Sequence, residues 1–186
     1  MSSDCKSVWD QAADKDKARA IDAFSADCGC ERCSLSSGGA GPVQDDEIVA
    51  RILVSPTSFD AEKSEILRAK LVSIFSSGVS LIRENASDEE IEQTVWQQTT
   101  GAQQAGQLVA AAIMPASRIR LHGAPPRKFC VYDTDAPNKV HHADIVAPTP
   151  SGTSGEIEKA KKRLEAKLQA LAAEHKKDNT LTFEEL

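Results

Sequence analysis

Two short apolar runs near the middle of the chain predict strands of a sheet. Residues 48–54 are mostly β-branched and aliphatic, and Pro56 ends this run because the residue before a proline favours extended geometry. Residues 79–83 form the second run, directly after Gly78. Both runs are shorter than a typical amphipathic helix, so they fit strands that are buried in a sheet.

A β-hairpin is predicted where two further runs follow each other closely. Residues 129–133 and 140–146 are rich in β-branched and aromatic side chains, and the segment between them contains Asp, Pro and Asn, which favour turns. We therefore expect residues 127–146 to form two antiparallel strands joined by a turn.

Apolar residues at intervals of three and four predict four helices. The four segments are residues 4–24, 61–75, 88–100 and 156–177. A capping-box spacing marks two of the helix starts, at Ser87 with Glu90 and at Thr153 with Glu156. The last helix has the longest apolar stripe of the four, so it is expected to be amphipathic.

Two segments near the end of the central region are harder to assign. Residues 102–114 are rich in Ala and Gln, which favour a helix, but the run from Leu108 to Met114 also fits a buried strand. The sequence leaves both alternatives open, and Pro115 ends either element. Residues 117–121 alternate between apolar and polar side chains, which predicts a strand.

These elements predict an α+β fold, with a small, mostly antiparallel sheet covered by two or more helices. Residues 43–147 form the predicted core domain. Residues 1–42 contain a helix, a cysteine cluster and a Gly/Ser-rich linker, and we expect them to form a loosely attached N-terminal arm. Residues 148–155 are a second linker before the C-terminal amphipathic helix at 156–177, and residues 178–186 form a tail.

Composition and charge exclude several classes of protein. The 186 residues carry a net charge of -6, which argues against a dedicated nucleic-acid binder. No apolar run approaches the roughly 20 residues that a membrane helix needs, and the first residues do not resemble a signal peptide, so a cytosolic location is expected. Motifs typical of nucleotide-binding loops, serine hydrolases and zinc proteases are missing from the sequence.

The predicted hairpin concentrates side chains that can carry chemistry. Cys130 is a candidate nucleophile, with His142 or His141 as its base and Asp133 or Asp144 to orient the histidine. The strand register decides whether this is possible, because Cys130 faces His142 in one register and a slip of one residue separates them. The alternative is that Cys130 is an ordinary buried thiol of the core.

The same hairpin allows a metal site or a general acid–base site. His142 and Asp144 lie two residues apart and therefore share a strand face, with Asp133 or His122 as further ligands. His141 is adjacent to His142 and points to the opposite face, so only one of them can enter a given site. The alternative is that these side chains only form hydrogen bonds within their own loop.

A cluster of three cysteines follows the first predicted helix, at Cys28, Cys30 and Cys33. In a reducing compartment this C-x-C-x-x-C spacing favours metal or free thiols over disulfides, and zinc is the candidate cofactor. Cys5 supplies a fourth ligand if the first helix folds back, and His122 or Cys130 supplies it if the arm wraps over the domain. The alternative is a set of thiols without a function.

Several arginines lie in or beside predicted strands, among them Arg51, Arg83 and Arg120. An arginine is costly in a core, so these side chains are expected to line a sheet edge or a groove. Such a groove would bind phosphate or carboxylate groups. The alternative is a solvated face of the sheet.

Two hypotheses for the function follow. The first is a small cytosolic accessory or interaction protein, which works with a protein partner through the C-terminal helix. The second is a small hydrolase or nuclease-like enzyme with a His/Asp site on the hairpin, with or without a metal. Convergence of the histidines, the aspartates and an arginine in one concave site would favour the enzyme.

Overall fold

The computed structural model describes residues 2–100, 107–122, 129–134 and 140–178. In this part of the chain there are five α-helices and eight strands. The helices are α1 (Ser2–Gln11), α2 (Lys17–Phe24), α3 (Asp88–Thr100), α4 (Ala116–Leu121) and α5 (Ser154–Glu174). The strands are β1 (Ile48–Ser55), β2 (Phe59–Asp60), β3 (Glu65–Ile66), β4 (Val79–Arg83), β5 (Gln107–Pro115), β6 (Cys130–Asp133), β7 (His142–Val146) and β8 (Lys176–Asp178). Short 3₁₀ helices lie at Asp14–Asp16, Gly29–Arg32, Arg68–Lys70 and Val72–Phe75.

Six of the strands form one antiparallel sheet in the order β6-β7-β4-β1-β5-β8, and β2 pairs with β3. The predicted α+β class is confirmed, as are the strands at β1 and β4. The predicted hairpin is also confirmed, because β6 and β7 are antiparallel neighbours. The turn between them falls outside the described residues.

Alternate residues of each strand reach opposite faces of this sheet. Val79 and Leu81 of β4 enter the larger core, which α5 covers with Leu164, Leu168 and Leu171. The opposite face is covered in two places: α1 and α2 pack on the β6–β7 side, and α3 packs over β1. A strip of the sheet between these two helical layers carries polar side chains of β4 and β7.

Helix α5 begins at the predicted cap but ends at Glu174, so the predicted end at residue 177 is wrong: Lys176 and Lys177 belong to strand β8. Both hydrogen bonds of a capping box are present between Thr153 and Glu156. The apolar stripe of α5 lies on the sheet of this chain, with Leu171 fully buried. Helix α3 also begins with the predicted box, since the Ser87 amide donates to Glu90 and the Glu90 amide donates to the Ser87 hydroxyl.

The predicted helix at residues 61–75 is wrong. This segment contains the end of a small hairpin, β2–β3, followed by two 3₁₀ helices. The carboxylate of Asp60 accepts hydrogen bonds from the amides of Glu62 and Lys63, and this local bonding stabilises a turn where a helix would begin. Ile66, Leu71 and Ile74 of this segment are still buried, but Ile66 reaches the core from β3, Leu71 from between the two 3₁₀ helices and Ile74 from the second of them.

The two ambiguous segments are resolved where the structure describes them. Residues 107–114 belong to strand β5, and residues 102–106 lie outside the described residues. The predicted strand at 117–121 is wrong, because α4 begins directly after Pro115. The amide of Ala116 donates to the Glu47 carbonyl, and Ala116 and Ile119 enter the core together at helical spacing.

The N-terminal segment is two helices rather than the one predicted at residues 4–24, and it is not loosely attached. A disulfide joins Cys28 to Cys130 of β6, and the Leu35 amide donates to the Asp133 carbonyl. Leu35 is fully buried, although it lies in the predicted linker. The predicted domain boundaries stay predictions. No helix in the described ranges is long and apolar enough to cross a membrane.

Candidate functional site

Four polar side chains meet on the sheet face opposite α5. Ser80 of β4 and Asp144 of β7 are directly paired residues on neighbouring strands. His142 lies two residues before Asp144 and therefore points to the same face. Thr134 follows β6, and its amide donates to the carbonyl of His142. The pairing of three strands thus brings these four residues together.

Hydrogen bonds join the four side chains in the order Asp144, Thr134, His142 and Ser80. When Asp144 is ionised, the Thr134 hydroxyl donates to its Oδ2 over 2.8 Å, so the Thr134 oxygen is left to accept from Nδ1 of His142, 2.9 Å away. With its proton on Nδ1, His142 presents an unprotonated Nε2. The Ser80 hydroxyl lies 2.6 Å from that nitrogen and donates to it. We call these four residues the Ser–His–Thr–Asp chain.

The Ser–His–Thr–Asp chain is largely shielded from water. His142 and Asp144 are each 8% exposed, while Ser80 is partly exposed at the open end. Tyr132 of β6 packs against Trp9 of the N-terminal helices on one side. Because water is largely excluded, electrostatic interactions inside the cluster are strong.

Burial raises the pKa of Asp144 to about 7. The hydrogen bond from Thr134 and the positive charges of Arg51 and Lys17 act in the opposite direction and do not offset the burial. Asp144 therefore changes its charge near neutral pH.

This raised pKa gives the stability of the protein a pH dependence. Between about pH 4 and about pH 7 the folded state holds a proton on Asp144 that the unfolded state releases, so the free energy of unfolding falls as the pH rises through this window. Urea unfolding of the wild type and of Asp144→Asn, which cannot titrate, measures the effect. We expect a smaller decline with pH in the variant, and equal declines would contradict the prediction.

Of the three arginines predicted to line a ligand groove, only Arg51 lies beside this cluster. Its Nη1 donates to the Ser80 carbonyl over 3.0 Å. Arg83 and Arg120 are buried in ion pairs with carboxylates of this chain, so their placement in an open groove is wrong. The sequence could not reveal this, because the acidic partners lie far away in the chain.

The other catalytic candidates are separated from His142. Asp133 points to the opposite face and contacts Arg83 over 2.9 Å. His141 lies 2.9 Å from Glu90 of α3. These placements show that Asp133 and His141 do not belong to the Ser–His–Thr–Asp chain.

Cys130 is not a nucleophile in this structure, because it forms a disulfide. It pairs with Val146, so both registers considered from the sequence are wrong. Val131 and Ile145 of the two strands enter the core under α5, and a shift by one residue would move them to the other face. The burial of apolar side chains on that face therefore favours the observed register.

The predicted zinc site does not form in this structure. Cys5 is joined to Cys30, and Cys28 to Cys130, which leaves Cys33 as the free cysteine. Zinc binds thiolates, and sulfurs in a disulfide cannot supply them. Among the described residues, no three His, Cys, Asp or Glu side chains are grouped so that they could hold a metal ion.

Sequence reasoning identified His142 and Asp144 but missed Ser80 and Thr134. One signal for Ser80 was present, because it is the only uncharged polar residue in the apolar strand at 79–83. Thr134 carried no such signal. Its role depends on the extension of β6 beyond Asp133, which sequence alone does not show.

The fold and the cluster define an α+β protein with a buried Ser–His–Thr–Asp chain at one face of an antiparallel sheet. Comparison with protein-family models, with curated protein sequences and with solved structures finds no significant match. The functional argument therefore depends on the chemistry of the residues themselves.

Proposed function

We propose that this protein is a small hydrolase in which Ser80 is the nucleophile and His142 is the general base. The observation that carries the proposal is the contact between the Ser80 hydroxyl and Nε2 of His142, which lie 2.6 Å apart. A serine hydroxyl is a weak nucleophile by itself and needs such a base. Thr134 and Asp144 orient the imidazole, as a carboxylate does in serine hydrolases.

The reaction that suits this arrangement is the hydrolysis of an ester. Oγ of Ser80 attacks the carbonyl carbon while its proton passes to Nε2 of His142. The bond to the leaving oxygen breaks, and the imidazolium gives its proton to that oxygen. Water then attacks the acyl-serine with the same base, which releases the acid and restores the Ser80 hydroxyl.

A fluorophosphonate probe, which reacts with activated serines, tests the proposal directly. We expect wild-type protein to be labelled at Ser80, with the site located by peptide mass spectrometry. Ser80→Ala should lose the label, and His142→Ala should be labelled at least about a hundredfold more slowly because the base is missing. Ser151→Ala, which removes an exposed serine outside this cluster, is the matched control.

The proposal fails if the folded wild type is not labelled at Ser80. Circular dichroism and thermal unfolding of each variant show whether a lost label reflects lost chemistry or lost structure. A variant that is folded and unlabelled supports the assignment of its residue. Labelling of His142→Ala at the wild-type rate would mean that the histidine is structural.

A second candidate function, an accessory protein with a protein partner, is favoured by one groove. It has a volume of about 590 Å³ and lies between α2, the segment 148–151 and α5. Arg163 and Lys167 of α5 line one part of it, and Asp22 and Asp27 line another. This groove would bind a peptide segment of mixed charge beside the docked helix, without requiring α5 to detach. Absence of labelling at Ser80 would leave this function as the better proposal.

The location in a reducing cytosol stays a prediction. Two disulfides weigh against it, because disulfides form and persist mainly in oxidising compartments. We propose that the protein works where these bonds are stable.

A further inference from the structure

Three arginines of this fold differ in the groups that neutralise their charge. Arg83 and Arg120 each contact two carboxylates of the chain. These partners are Glu47 and Asp133 for Arg83, and Glu31 and Asp45 for Arg120. The protein therefore neutralises two of its buried guanidinium groups with acidic residues.

Arg51 has no such neutralisation within the described part of the chain. Its hydrogen bond goes to the neutral carbonyl of Ser80, and its Nε is buried without a partner. The acidic group whose charge acts on it is Asp144, which forms no ion pair with Arg51. An arginine stays charged at neutral pH, and a buried charge without a close counter-ion is costly. The unfilled bonding capacity of Arg51 therefore points to an anion from outside the chain.

The pairing of β1 with β4 stops beside this arginine. The two strands pair at Val49–Arg83 and at Ala50–Ile82, and a continued ladder would next join Arg51 to Leu81 and then Ile52 to Ser80. Neither of these pairs is formed. The Ser80 carbonyl accepts from the Arg51 side chain instead, so the guanidinium lies at the point where the two strands part. Arg51 starts from the α5 face of the sheet, as do Val49 and Leu53, and its side chain reaches the Ser80 carbonyl between the two strands. Arg51 is only partly buried, which leaves part of it open to a ligand.

We infer that the substrate carries a carboxylate or phosphate group, which Arg51 binds while Ser80 attacks an ester bond nearby. This inference rests on the proposed hydrolase function and adds the class of its substrate. The planar guanidinium can donate two parallel hydrogen bonds to either anion. Arg51 is thus the specificity-determining residue of the site.

Two nitrophenyl esters of different charge test the inference. We expect the wild type to hydrolyse 4-nitrophenyl hemisuccinate, an anion, with a kcat/KM at least about tenfold above that for neutral 4-nitrophenyl acetate, mainly through a lower KM. Arg51→Gln should lose this preference, and Arg51→Lys should retain part of it. Arg118→Gln removes an exposed arginine that pairs with Glu174 and serves as the control of equal charge. A preference that survives Arg51→Gln would overturn the inference.

A binding measurement separates this inference from the proposed reaction. Ser80→Ala lacks the hydroxyl but keeps the main-chain carbonyl that Arg51 contacts. Calorimetric titration of this variant with succinate and with inorganic phosphate should show binding that Arg51→Gln weakens at least about tenfold. The ligand that binds more tightly identifies the anion. Anion binding without labelling of Ser80 would support the anion site and contradict the hydrolase function. Labelling of Ser80 without anion binding would support the hydrolase function and contradict the anion site.

Discussion

Replacement of Arg83 by methionine is expected to lower the free energy of unfolding by about 3–5 kcal/mol, the cost of leaving buried charge without its partner. Arg83 is 3% exposed and contacts Glu47 over 2.5 and 2.9 Å and Asp133 over 2.9 Å. Without the guanidinium, two carboxylates remain in a region that excludes water. Urea unfolding measures the loss, and the melting temperature should fall by about 10 °C.

Two comparisons show that the effect belongs to the buried charges. Arg118→Met removes an arginine from an exposed ion pair, so its effect should stay below about 1 kcal/mol. The triple variant Arg83→Met, Glu47→Gln, Asp133→Asn should recover part of the lost stability, because no uncompensated carboxylate remains. A single Arg83 variant within about 1 kcal/mol of the wild type would contradict the prediction.

Removal of the Cys28–Cys130 disulfide is expected to be the largest single loss of stability. This bond closes a loop across 102 positions of the chain, for which the loss of loop-closure entropy corresponds to about 4.7 kcal/mol. It also fastens the N-terminal helices to the sheet edge. The Cys5–Cys30 bond spans 25 positions, and the same relation gives about 3.5 kcal/mol.

The double variants Cys28→Ala, Cys130→Ala and Cys5→Ala, Cys30→Ala test this order in urea under non-oxidising handling. Thiol titration of denatured wild type should find one free thiol, since four of the five cysteines are paired. Five free thiols, together with unchanged stability in both variants, would show that the bonds do not form. In that case the cysteines would be free thiols and could again be considered as metal ligands.

The strands that the sequence predicted correctly share a physical cause. Strand β1 and the strands of the β6–β7 hairpin are short runs rich in β-branched, aliphatic and aromatic residues, bounded by residues that end regular structure, and local signals are enough to identify them. The two capping boxes at α3 and α5 are equally local. The prediction was wrong at residues 61–75, where hydrogen bonds to the Asp60 side chain stabilise a turn. It was also wrong at residues 117–121, where a contact between Ala116 and Glu47 accompanies a helix in place of a strand.

The candidate site was harder to predict from the sequence than the fold was, because it depends more on tertiary contacts. His142 and Asp144 were predictable because their spacing on one strand fixes a shared face. Ser80 lies 62 positions from His142, and Thr134 enters only through the observed hairpin register. Cys130 was excluded by its disulfide, and Asp133 by its position on the opposite face, beside Arg83.

The amino-acid sequence by itself determined the secondary structure of strands β1, β4, β6 and β7 and of two capped helices, because those signals act over a few residues. Only the tertiary structure decided which polar groups meet. It joined the cysteines in pairs, neutralised Arg83 and Arg120 with distant carboxylates, and left Arg51 beside Ser80 without such a partner. These outcomes depend on contacts between residues far apart in the chain, and on burial that a linear pattern does not specify.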